Sequence, residues 1–352
     1  MNKIMFYTMT MNSGGAERVI ANLANDFVND NIVSIATLTN NRVDYELKDN
    51  IVFYHSSKKN NNNIFNRIKS IKRLFSNTVD FNPNVIIAFC PTMCFIACFL
   101  KKFSHKFRNI RLIISERNNP SSEYKNFLTK VIANYLYSTA DVIVFQNNGA
   151  KDFFNKSVQS KSVIIPNPIN ENFYNIDLKT VKKENCIVNV GRLEEQKNQE
   201  LLITACHDVF KKYPNWKLKI YGEGSLKNKL DTLIKKLGNE HNIELLGRCS
   251  HLEKILPKCK IFVLSSNYEG MPNSLMEAMV CKLSCISTDC PCGGPKELII
   301  NGKNGLLVSV DNLEEMTDAI TKMIEKPLFA SDDEMMKYQI QNIMKLWRKI
   351  IK

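Results

Sequence analysis

The chain has 352 residues, 44% of them hydrophobic and 24% charged, with a net charge of +13 and 11 cysteines. That length is more than one hydrophobic core supports and favours two domains, while the ordinary composition excludes the fibrous, disordered and disulfide-scaffold classes. The excess charge is uneven: residues 1–180 hold 22 Lys/Arg against 13 Asp/Glu (+9), and residues 181–352 hold 26 against 22 (+4).

Lys3 to Tyr7 reads as a short apolar strand that ends in the loop Asn12-Ser13-Gly14-Gly15. The loop arrives too early for the apolar core of a signal peptide, so the odd number of cysteines is expected to be reduced thiols of a cytoplasmic protein. Ala16 to Phe27 follows as a helix with Val19, Ile20, Leu23 and Phe27 on one face, and Ile32 to Leu38 as a β-branched strand. Asn60 to Asn63 is a polar tract expected in a surface turn. Next comes a basic amphipathic stretch. Ile64, Phe65, Ile68, Ile71, Leu74 and Phe75 sit at helical spacing among Arg67, Lys69, Lys72 and Arg73, with Lys58-Lys59 before them. Such a helix suits either an anionic membrane surface or a plain solvated face.

The longest apolar run, Val85 to Leu100, is 16 residues with Pro91 inside it. A spanning helix needs about 20, so the run reads as a buried strand, a turn and a buried helix on which Cys90, Cys94 and Cys98 share a face. Arg111 to Ser115 and Asp141 to Phe145 add strands. The Pro- and Asn-rich stretch from Pro166 to Lys183 reads as a linker. Beyond it strand and helix alternate again, with strands at 187–190, 218–221, 243–246, 261–265 and 284–288. Helices are expected from about Glu200, Ser225 and Asn273. Alternation of this kind argues for parallel sheets flanked by helices. The tail from Lys337 repeats apolar residues at helical spacing up to Ile351. The expected division is 1–175, 176–330 and a C-terminal helix in 331–352 that packs back toward the first domain.

Open α/β sheets bind ligands outside the carboxyl ends of their strands, so the loops there carry the argument. In Glu269-Gly270-Met271-Pro272-Asn273-Ser274-Leu275-Met276-Glu277 a strand ends, a Gly/Pro loop follows and a helix begins. The N–H groups and dipole of a helix start suit a phosphate, and carboxylates accept hydrogen bonds from sugar hydroxyls. Gly191-Arg192-Leu193-Glu194-Glu195-Gln196-Lys197-Asn198 also follows a strand. There Arg192 can grip a diphosphate through its fork, and Lys197 acts as a point charge. In Ser13-Gly14-Gly15-Ala16-Glu17-Arg18 the glycines let a phosphate or sugar approach the backbone. The five histidines are scattered, and the cluster Cys281, Cys285, Cys290, Cys292 lacks the paired spacing of a zinc site.

Taken in order and spacing, these three runs resemble the retaining glycosyltransferases of family 4, which have the GT-B fold. The resemblance spans nearly the whole chain. It is nearest to the bacterial branch that builds O-antigen, capsule, lipopolysaccharide and lipid-linked glycans, which Ser115-Glu116-Arg117-Asn118-Asn119-Pro120 and Asp289-Cys290-Pro291…Gly294-Pro295-Lys296-Glu297 also match. It implies two Rossmann-like doubly wound domains facing a cleft, and transfer of a hexose or N-acetylhexosamine from a nucleotide-diphosphate sugar, with UDP the expected nucleotide. Arg192 and Lys197 would neutralise the leaving diphosphate. Glu269 would hold the transferred sugar with backbone from Gly270 to Ser274, Glu277 the ribose, and Gly14 and Gly15 would lie near the diphosphate. Preorganised cations at such a point are worth about 3–4 kcal/mol each, and no metal or cofactor is implied. The family often places a histidine on the acceptor side. Here that loop offers Glu116 and Arg117 instead. The implied partners are an undecaprenyl-diphosphate-linked glycan and the anionic cytoplasmic face of the inner membrane, with no nucleic acid. The rivals are an epimerase of the same fold, which would act on donor alone, a dehydrogenase, for which Gly222-Glu223-Gly224 is too short a motif, and a noncatalytic scaffold.

Overall fold

The computed structural model describes residues 1–12, 14–39, 42–55 and 64–352, with Ile64 described by its backbone alone. Ser13, the Lys58-Lys59 pair and the Asn60–Asn63 tract lie outside the described residues. The chain forms two units, Met1–Asn167 with Gln341–Lys352, and Pro168–Ile340.

The first unit is a seven-stranded sheet built from β1 (Lys3–Thr8), β2 (Ile32–Thr37), β3 (Val52–Tyr54), β4 (Val85–Phe89), β5 (Arg111–Ser115), β6 (Val142–Phe145) and β7 (Ser162–Ile164), in the order β3-β2-β1-β4-β5-β6-β7. Every pairing is parallel. Parallel strands are covered on both faces, which is why these segments are nearly unbroken apolar runs. The fully buried Phe6 of β1 lies 6.2 Å from Phe27 and 6.4 Å from Phe89. The chain order reverses direction in the sheet between β3 and β4. By the right-handed crossover rule, the helices Ile64–Phe81, Pro91–Phe103 and Phe127–Tyr137 therefore share one face, opposite Gly15–Phe27. The Val85–Leu100 run is a strand and the start of a helix, and no helix of the described residues is long and apolar enough to cross a membrane. In the basic helix Ile64–Phe81 the apolar stripe is divided: Leu74 is buried and Phe75 packs 5.3 Å from Phe107, while Phe65 and Ile68 are exposed.

The second unit holds β8 (Cys186–Val190), β9 (Lys217–Tyr221), β10 (Ile243–Leu245), β11 (Ile261–Leu264), β12 (Ser284–Thr288) and β13 (Leu306–Val308) in the parallel order β10-β9-β8-β11-β12-β13. Alternate residues feed two cores. Ile187, Ile261 and Val263 join one, while Cys186, Val188, Phe262 and Leu264 join the other.

The boundaries differ from the sequence expectation. The first unit ends at Asn167 rather than 175, because Ile169 and Phe173 of the supposed linker are buried in the second unit's core. The 331–352 segment is divided between the units. Ser331 opens the helix Asp332–Met336 through a capping box, and Met335 and Tyr338 bury in the second unit. From Gln341 on, the terminal helix Ile340–Ile350 belongs to the first unit. There Arg348 donates to Asp26 at 2.9 Å and Asp30 at 2.6 Å, and the fully buried Trp347 stacks 5.9 Å from Phe89.

Candidate functional site

In the second unit the Gly191–Asn198 loop leaves the carboxyl end of β8 and is tied to the loops that follow its two neighbouring strands. On the β9 side, Gly191 N–H donates to Tyr221 C=O at 3.0 Å and Leu193 N–H to Glu223 C=O at 2.9 Å. Ser225 donates through N–H and Oγ to the Glu194 carboxylate at 3.0 and 2.8 Å. Gly222 and Gly224 permit this approach: a Cβ on Gly222 would lie 1.8 Å from Gly191 O, and one on Gly224 2.3 Å from Leu193 O. The G-x-G that fails as a dinucleotide motif is therefore the seat of the arginine loop.

On the β11 side the same loop is tied to residues 265–269. Asn267 N–H donates to Gln196 C=O at 2.8 Å, Gln196 Nε2 to Tyr268 C=O at 3.0 Å, and Ser265 Oγ to Lys197 C=O at 2.8 Å. Lys197 Nζ is ion-paired with Glu269 Oε1, which also accepts from Ser266 Oγ at 2.7 Å. Glu269 is 6% exposed. A buried carboxylate is costly unless it is paired and hydrogen-bonded, and Glu269 has both a cation and a donor. Arg192 is exposed and donates from Nη2 to Gln196 Oε1 at 3.2 Å. It shares the loop with Lys197 without touching Glu269.

The helix Asn273–Val280 starts with Pro272 at its N-cap and has no side-chain cap, so Asn273 and Ser274 stand inside its first turn. Met271 and Glu277 are buried, Glu277 to 2% exposure. Gly270 C=O is backed by Gly294, where a Cβ would lie 1.6 Å from that oxygen. Five of the expected residues, Gly270 to Ser274, thus form one continuous loop and helix start between Glu269 and Glu277.

In the first unit Gly14 precedes the helix Gly15–Phe27 and accepts from Tyr45 Oη at 2.7 Å. The Glu17 carboxylate folds over it, 2.0 Å from where a Cβ would stand. At the carboxyl end of β5, Glu116 is fully buried. Tyr124 and Tyr137 hydroxyls donate to its Oε2 at 2.8 and 3.0 Å, and burial pushes its carboxyl up to about 7. Arg117 lies 5.1 Å from the Phe89 ring and 5.5 Å from Trp347, and donates from Nη1 to Asn167 Oδ1 at 2.7 Å. Burial lowers its guanidinium to about 9, and among the described residues its Nε and Nη2 have no hydrogen-bond partner. Sequence reading missed Ser266, Gln196, Asn267, Tyr124 and Tyr137 as supports. Gln196 lies within the quoted run, while the tyrosines gave no local signal. No group of three or more His, Cys, Asp or Glu among the described residues is placed to hold a metal ion.

Comparison with known proteins joins this geometry to a family. Residues 171–344 match the model of the glycosyl transferases group 1. An uncharacterised glycosyltransferase of Methanocaldococcus jannaschii is 30% identical over 86% of this chain and 88% of its own. A second relative is the N-acetylgalactosamine-N,N'-diacetylbacillosaminyl-diphospho-undecaprenol 4-alpha-N-acetylgalactosaminyltransferase of Campylobacter jejuni, 31% identical over 92% of this chain and 91% of its own. The crystal structure of Anabaena HepE in complex with UDP and glucose has a TM-score of 0.82 at 15% identity, covering 100% of this chain and 99% of that one. Its likeness bears on fold alone. With two Rossmann-like parallel sheets and whole-length relatives of this kind, the chain belongs to the group 1 glycosyl transferases, and it is a glycosyltransferase of GT-B fold.

Proposed function

We propose that the protein transfers an N-acetylhexosamine, with a hexose as the second choice, from a UDP-sugar to an undecaprenyl-diphosphate-linked glycan, with retention at the anomeric carbon. The product would serve O-antigen, capsule or lipopolysaccharide assembly at the cytoplasmic face of the inner membrane. Two Campylobacter relatives named for N-acetylgalactosamine transfer onto diphospho-undecaprenol glycans support acceptor and sugar, and solved neighbours in complex with UDP or UDP-glucose support the nucleotide. The observation that carries the reading is the Lys197–Glu269 pair, which joins the arginine loop to the Gly/Pro loop in one unit.

In this reading Arg192 and Lys197 face the diphosphate. As the anomeric C–O bond breaks, its electron pair passes to the β-phosphate oxygen, and the two cations stabilise that charge where it develops. The acceptor hydroxyl attacks from the face the phosphate leaves, and its proton passes to the departing phosphate oxygen. Glu269 holds a hydroxyl of the transferred sugar and orients Lys197. Backbone of Gly270, Met271, Pro272, Asn273 and Ser274 lines the sugar and phosphate, and Glu277 takes the ribose hydroxyls. Glu116 and Arg117 serve the acceptor side. None of these roles calls for a metal.

The test is a screen of UDP- and GDP-sugars against lipid-linked acceptors, followed by NMR of the new linkage. UDP release that depends on acceptor, with an anomer matching the donor, is the expected result. Isomerised sugar from donor alone would replace the reading with an epimerase, and an inverted anomer would remove retention.

A further inference from the structure

On the shared helix face of the first unit, large apolar side chains point outward instead of into the core. Phe127, Leu128, Val131 and Tyr135 form one stripe along the Phe127–Tyr137 helix, exposed by 84%, 67%, 46% and 55%. The opposite side of that helix is buried through Ala133 and Tyr137. The adjacent helix Pro91–Phe103 adds Phe99 and Phe103, exposed by 54% and 61%, with their rings 4.7 Å apart. The two stripes meet where Lys102 Nζ sits 3.8 Å over the Tyr135 ring. Isolated exposed apolar residues are ordinary, whereas a contiguous set on two packed helices marks a binding surface.

The charges around it are mostly positive, with Glu123 and Asp141 at its margins. Residues 90–110 and 124–140 contain six Lys or Arg (Lys101, Lys102, Lys106, Arg108, Lys125, Lys130) and no Asp or Glu. Of these, Lys101 is paired with Asp141 at 2.6 Å, and Lys130 lies 4.3 Å over the Phe153 ring. Lys106, Arg108 and Lys125 are exposed. An apolar stripe rimmed by cations complements a surface that is apolar beneath and anionic above, as an anionic bilayer is.

We infer that this two-helix face is where the enzyme docks on an anionic lipid bilayer: Phe127, Leu128, Val131 and Phe103 enter the boundary of headgroups and acyl chains, and the lysines lie against lipid phosphates. The basic helix Ile64–Phe81 is a lesser contributor, since much of its apolar stripe already packs on protein. The docking stripe begins at Phe127, at the end of the loop that leaves Glu116 and Arg117. A lipid-anchored acceptor would thus meet the carboxyl end of β5 from the membrane side. This last step rests on the lipid-linked reading of the acceptor; the docking itself does not.

The experiment is co-sedimentation of the full chain with vesicles of equal phosphatidylglycerol and phosphatidylcholine, and with phosphatidylcholine alone, at low and high salt. Expected is at least tenfold stronger partition onto the anionic vesicles and a several-fold loss in high salt. The Phe127→Ser/Leu128→Ser variant, checked by circular dichroism, should bind at least fivefold more weakly, while Phe65→Ser/Ile68→Ser stays near wild type. That first variant should keep transfer to a short-chain soluble diphosphate-linked acceptor and lose it to one embedded in vesicles. Unchanged vesicle binding by the Phe127/Leu128 variant overturns the inference, as does a lipid-free dimer of wild type that this variant makes monomeric. Vesicle binding through this face without transfer to either acceptor upholds the surface and removes the proposed function instead.

Discussion

Lys197 sits 16% exposed against a buried carboxylate, within a network in which Glu269 Oε1 is shared with Ser266. Under the proposed function, replacing it by Ala removes a cation from the diphosphate and strands Glu269 in the same step. Lys197→Ala should lower kcat/KM at least tenfold with an unchanged circular dichroism spectrum; normal turnover would remove the donor-site assignment. Glu277→Ala carries the same expectation, read by the same UDP-release assay. Glu116 supports a different test. Its folded pKa of about 7 lies above the usual 4.5, so the native state binds its proton more readily than the unfolded chain. This group's stabilising contribution is full below pH 4.5 and is lost as pH rises through 7, at most about 3 kcal/mol. Glu116→Gln keeps the acceptor for Tyr124 and Tyr137 while removing the titration. The variant should therefore melt higher than wild type at pH 8, and that gap should shrink toward pH 5.

At the scale of elements, the site is loops held by their neighbours' backbones. Gly294 lets its helix start press on the Gly270 carbonyl, and Gly222 does the same for Gly191. A methyl group at Gly294 must displace backbone, because the nearest atom is a carbonyl oxygen at 1.6 Å. Gly294→Ala is expected to cut transfer by tenfold or more while far-UV circular dichroism persists. Gly238, with φ of +68° and open space around its Cβ, is the control. Gly238→Ala should cost about 1–2 kcal/mol of backbone strain, seen as a lower Tm, with kcat near wild type. Such close approaches are not written in local sequence: a G-x-G reads equally as a turn, a phosphate loop or a packing seat. The runs Gly191–Asn198 and Glu269–Glu277 were legible because each pairs a strand end with charged residues. Their connection through Ser265 and Asn267 was not, since it joins positions about 70 residues apart in the chain.

For the molecule as a whole, the terminal helix decides where one unit's chain begins and ends. Trp347 is fully buried against Phe89, and Arg348 is paired with Asp26 of the Gly15–Phe27 helix and with Asp30 just beyond it. Trp347→Ala leaves a large cavity in the first unit and should cost about 3–5 kcal/mol there. Calorimetry should show the first unit's transition moving down while the second unit's stays. Equal shifts of both would mean that the units unfold as one.

The sequence by itself determined the alternation of strand and helix, the parallel class and the loops that carry the charge, because periodicity and apolar runs are local consequences of backbone geometry and burial. Only the tertiary structure decided that Ile169 and Phe173 belong to a core rather than a linker, that the tail is divided between units, and that the outward apolar stripe lies on Phe127–Tyr137 rather than on the basic helix before it. Those outcomes depend on which distant residues cover a given side chain. An apolar residue at helical spacing looks the same in sequence whether its face meets protein or is left exposed.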